Sequence, residues 1–77
     1  MDRETLQKTL SNLNMCVHSF SHDWDFHATI EVDNDKSDAD NLHDIVKALK
    51  ELHYDLYTMR KLEKGIYSIS FAHEECS

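Results

Sequence analysis

Seventy-seven residues with 15 acids, 8 bases and a formal charge of −7 leave room for one small domain. An acidic chain of this kind is repelled by DNA and by anionic membranes, so a basic protein is its natural electrostatic partner. No stretch approaches the ~20 apolar residues of a membrane span, and residues 1–14 lack the apolar run of a signal peptide.

Residues 2–13 predict a short amphipathic helix. Leu6, Leu10 and Leu13 share one face, Asp2 is placed to cap it, and Asn12 and Asn14 mark its end. Residues 15–21 predict a first strand, with His22-Asp23 as a tight turn. That turn opposes Phe20 to Asp25, His18 to His27 and Cys16 to Thr29. Met15, Val17 and Ser19 then join Trp24, Phe26, Ala28 and Ile30 on the core side.

The second strand lies in DWDFHATIEVDNDKSDADNLHD, residues 23–44. This stretch holds Asp23, Asp25, Glu31, Asp33, Asp35, Asp38, Asp40 and Asp44 against the single base Lys36, and the rest of the chain is balanced. From Asp23 to Asp33 apolar and polar residues alternate, which predicts a strand whose wet face is a row of carboxylates. Side chains on one strand face repeat every ~6.8 Å. Phosphates of one nucleic-acid strand rise ~3.4 Å along the axis, and winding roughly doubles their separation in space. A carboxylate ladder can therefore imitate a phosphate backbone. The plainer reading is an acidic face kept for solubility.

After the polar loop 33–37, Ser37 starts a second helix over about 38–53, with Asp38 and Asp40 in its first turn. Leu42, Ile45, Val46, Leu49 and Leu52 form its predicted buried stripe. Residues 54–62 and 66–72 predict two more strands, joined by Glu63-Lys64-Gly65 as a three-residue hairpin loop. Residues 72–77 are expected to fray. No internal repeat is visible. The expected fold is α+β, a two-layer sandwich in the order α-β-β-α-β-β, with helices on one face of an antiparallel sheet.

Chemistry is sparse. One glycine builds neither a P-loop nor a dinucleotide fingerprint, and there is no GxSxG elbow. Cys16 beside His18 is a weak thiol-nucleophile pattern. Cys16, His18, His22 and His27 offer zinc ligands without a zinc-site spacing. Asp33, Asp35, Ser37 and Asp44 echo a calcium loop, but Asp38 stands where that loop needs glycine. Arg60, Lys61 and Lys64 form a small basic cluster inside an acidic whole. The expectation is a non-enzyme without cofactor or metal, acting in the cytoplasm.

In length, in lack of catalytic motifs and in its acidic stretch, the chain resembles the small phage-encoded proteins that imitate DNA, those that block the nucleoid protein HU above all. The resemblance implies a homodimer that presents the eight acids to a basic DNA-binding protein and displaces DNA. A small interaction domain without mimicry is the first alternative, and a metal-binding module the second.

Overall fold

The computed structural model describes residues 1–74. Two helices and four strands follow one another as α1 (Arg3–Ser11), β1 (Met15–His22), β2 (Phe26–Val32), α2 (Asp38–Glu51), β3 (Tyr54–Glu63) and β4 (Ile66–His73). The strands make one antiparallel sheet in the order β1-β2-β4-β3. This is the α+β sandwich expected from the sequence. The fraying expected from residue 72 is corrected for its first three residues: Ala72 and His73 belong to β4 and Glu74 N bonds His53 O at 2.8 Å, whereas residues 75–77 lie outside the described residues.

Each helix starts where a side chain takes an otherwise unpaired amide. Asp2 accepts from Thr5 N at 2.8 Å, and Ser37 Oγ accepts from Asp40 N at 3.2 Å. Leu6 and Leu10 of α1 and Ile45, Ala48 and Leu49 of α2 are buried against Val17, Ala28, Ile30, Ile69 and Phe71 of the sheet. Phe26 stacks on Phe71 at a centroid distance of 5.4 Å, and Tyr54 meets both rings edge-on.

The predicted stripe of α2 is rotated. Leu42 is 41% exposed, while Asn41 is 3% exposed and holds its place by hydrogen bonds to Tyr67 and Asn34. Positions 41, 45, 48, 49 and 52 describe the buried face better than any choice of apolar residues alone.

The first hairpin differs in register from the expected one. Asp23, Trp24 and Asp25 form a three-residue loop, and His22 pairs with Phe26. Asp23 closes it, bonding to Asp25 through its backbone N–H at 3.1 Å and its carboxylate at 3.3 Å. Cys16 therefore faces Glu31, not Thr29. A bulge at His18 switches the parity of β1, so Phe20 turns toward the core in place of Ser19. Trp24, at the loop tip, is 97% exposed and joins no core. In the second hairpin Glu63 pairs with Ile66, so its loop is the two residues Lys64-Gly65, with a bulge at Leu62. Gly65 has φ +79°, and a Cβ there would lie 3.1 Å from Val32 O.

The backbone contains a repeat that residue identity conceals. Asn14 (φ 58°) and His53 (φ 66°) each turn a helix into a strand through the left-handed region. The amides of both bond the carbonyl three residues back, Ser11 O at 3.2 Å and Lys50 O at 3.0 Å. Their carbonyls receive the amides of Asp33 and Glu74, which follow the second strand of each half. The bulges at His18 and Tyr57 fall at the same place in β1 and β3. The chain is thus two α-β-β units related by a pseudo-twofold between β2 and β4. What repeats is the placement of buried positions, such as Leu6/Ile45 and Met15/Tyr54, more than the residues.

Candidate functional site

The acidic stretch does not form one ladder. Asp23 and Asp25 sit in the hairpin loop before β2, and Asp33 follows its last residue. Within β2 the face away from the helices carries His27, Thr29 and Glu31, a single acid. The predicted strand of alternating carboxylates is corrected to a shorter one, because the Asp23 turn ends the pairing at His22–Phe26. Glu31 is engaged by His18 Nε2 at 3.2 Å.

Seven of the eight acids divide into two ends, and Glu31 stays on the face of β2. Eight residue steps of near-extended chain separate Asp25 from Asp33, ~26 Å. At the far end Asp33, Asp35, Asp38, Asp40 and Asp44 surround the start of α2. Two of them are paired, Asp44 with Lys36 Nζ at 2.8 Å and Asp38 with Lys61 Nζ at 3.2 Å. Asp38 also accepts from Tyr67 Oη at 2.5 Å. The Tyr67 hydroxyl first, and Lys61 second, hold the Asp38 carboxyl below the usual carboxylate range. Hydrogen bonding from Lys36 does the same for Asp44. Asp33, Asp35 and Asp40 make no ion pair among the described residues, and all three are exposed. A cavity of about 600 Å³ opens here, lined by Asp33, Asp38, Lys36, Lys61, Lys64 and Tyr67 among others. In the sequence Lys36 is the single base of the acidic stretch, and Lys61 and Lys64 belong to a separate basic cluster. The fold carries Lys61 and Lys64, on the second hairpin, to the acidic loop, and they offset much of its charge.

The uncovered sheet face brings together three residues that sequence spacing did not connect. His27 Nδ1 lies 2.9 Å from Ser70 Oγ, and His27 Nε2 lies 3.4 Å from Asp23 Oδ1. Serine, histidine and aspartate in that order can relay a proton from the hydroxyl. Acyl transfer also needs N–H donors aimed at an oxyanion. Ser70 sits in β4, which is paired on both sides, so the amides around it serve the ladders. The relay ties the first hairpin loop to the central strands. No pairwise arithmetic on the sequence finds it, since Ser70 and His27 are brought opposite each other by the β2–β4 register.

The residues of the zinc-like and calcium-like patterns are not brought together. No group of three or more His, Cys, Asp or Glu side chains among the described residues is arranged to hold an ion. His22 stacks on Phe26 at 3.9 Å on the helix side, while His27 points to the open face, because strand parity separates them. Asp44 of the calcium-like pattern is held by Lys36. No helix of the described residues is long and apolar enough to cross a membrane. Comparison with protein-family models, curated proteins and solved structures finds no match.

Proposed function

We propose that this protein is a non-enzymatic acidic inhibitor that occupies the basic, nucleic-acid-binding surface of a bacterial protein in the cytoplasm, with an HU-like nucleoid protein as the favoured partner class. The observation that carries the reading is the exposure of Asp33, Asp35 and Asp40, which make no ion pair among the described residues, at one end, with Asp23 exposed and Asp25 half-buried at the other. Two acidic ends ~26 Å apart can bridge separate Lys/Arg groups, in place of the continuous backbone imitation expected from the sequence. Charge-assisted hydrogen bonds to those cations supply the contacts, and salt weakens them.

The test is a titration against preformed complexes of DNA with an HU-type protein at several salt concentrations. DNA is displaced at low salt and retained at high salt. Replacing Asp33, Asp35 and Asp40 together by Asn abolishes displacement with the fold intact. Failure of the parent protein to displace DNA at low salt refutes the reading. A small interaction domain without mimicry remains the second reading, favoured by the edge of the sheet described next.

A further inference from the structure

The two halves of the pseudo-twofold protect their edge strands unequally. Strand β1 is sealed by α1. Gln7 Oε1 accepts from Val17 N at 2.8 Å, Gln7 Nε2 donates to Met15 O at 3.3 Å, and Arg3 donates to Val17 O and His18 O at 3.0 and 3.1 Å. These are the outward groups that an edge otherwise offers to another chain. The residues of α2 at the matching places are Leu42 and Val46, which can bond no backbone group. Among the described residues no side chain takes the corresponding groups of Tyr54 and Leu56. Beside this bare edge Leu42 is 41%, Tyr57 54% and Leu62 53% exposed. A groove of about 200 Å³ runs between Leu42 and Met59.

We propose that β3 is the contact between two copies of this chain, which pair antiparallel about a twofold between Tyr57 and Thr58 to continue the sheet across both. The residue pattern of β3 selects this occupant. In that register Asp55 faces Arg60 of the other copy, Leu56 faces Met59, Tyr54 faces Lys61 and Tyr57 faces Thr58. No like charges stand directly opposite; Asp55, already bonded by Lys50 Nζ of its own chain, takes Arg60 as a second cation, and the twofold makes that pair twice. Faces also agree. Asp55 and Arg60 pair with Ala72 and Ser68 on the uncovered side of β4, whereas Leu56 and Met59 pair with Phe71 and Ile69 on the core side. The bulge at Tyr57 makes this agreement possible, since it shifts the parity between Asp55 and Arg60. Strand β1 has neither charge pattern nor free edge. The proposal does not depend on the acidic partner reading.

Sedimentation equilibrium of the full chain over a range of concentrations tests it. A monomer–dimer equilibrium is expected. Asp55→Arg alone and Arg60→Asp alone each weaken the dimer by about tenfold or more, because the symmetry applies each replacement twice. The Asp55→Arg/Arg60→Asp double variant binds more tightly than either single one, short of the parent because Lys50 loses its Asp55 partner. Circular dichroism checks that each variant is folded, and hydrogen exchange of the Tyr54–Lys61 amides slows as the dimer forms. A chain that stays monomeric at high micromolar concentration overturns the proposal. So does a dimer whose β3 amides gain no protection, or whose affinity ignores all three variants. A monomer that takes up an unrelated extended peptide at β3 overturns the second copy as occupant.

Discussion

Asn41 is the buried polar residue on which the acidic end hangs. Its Oδ1 accepts from Asn34 Nδ2 at 3.0 Å, and its Nδ2 donates to Tyr67 Oη at 3.3 Å. Asn34 in turn accepts from Lys36 N at 3.0 Å, so Asn41 links the loop carrying Asp33 and Asp35 to both α2 and β4, beside the Lys36–Asp44 ion pair. In Asn41→Ala two net hydrogen bonds are lost, about 1 kcal/mol each. Better helix propensity returns about 0.5 kcal/mol. The expected loss is about 1.5–2 kcal/mol, before any small cavity is counted. With a urea m-value of about 1 kcal/mol/M for a chain of this size, the midpoint falls by about 1.5–2 M. The melting temperature falls by about 6–15 °C. Asn41→Asp is worse, by about 3 kcal/mol or more, because it buries a carboxylate near Asp38. Urea titrations measure both, and hydrogen exchange of residues 33–38 reports the loosened loop. If Asn41→Ala lies within about 0.5 kcal/mol of the parent, or Asn41→Asp is no worse than Asn41→Ala, the network does not hold this end.

Three further outcomes are expected. The left-handed φ of 66° at His53 costs an L side chain, so His53→Gly stabilises by about 0.5–1 kcal/mol, whereas Gly65→Ala, at φ +79° with Val32 O 3.1 Å away, destabilises by about 1–2 kcal/mol; thermal melts separate the two signs. The folded Asp38 carboxyl titrates below its unfolded value, so its contribution is present above about pH 4 and lost as acid protonates it in the fold; urea midpoints between about pH 5 and 2.5 fall less steeply in Asp38→Asn than in the parent, and equal slopes count against the assignment. Trp24, the only tryptophan, is 97% exposed, so its fluorescence is quenched by iodide in the native state almost as in urea, and a protected native signal contradicts the loop placement.

Local pattern alone determined much of this chain. Leucine spacing places α1, and the caps at Asp2 and Ser37 begin both helices where the sequence puts them. Gly65 marks its hairpin because a left-handed turn residue has few substitutes. The concentration of acids within residues 23–44 is likewise a property of the chain itself. Tertiary structure decided the rest. Bulges at His18 and Tyr57 reverse strand parity, and nothing in an alternating pattern announces a residue that will be skipped. Asn41 is buried and Leu42 exposed because Tyr67, a distant residue, supplies a polar partner. The pairing of β2 with β4 assembles Asp23, His27 and Ser70, and the return of the second hairpin brings Lys61 to Asp38. Even the repeat of the two halves, and the difference in how they guard β1 and β3, exists only in three dimensions. Burial and hydrogen bonding constrain positions in space, and many residue types satisfy the same constraint.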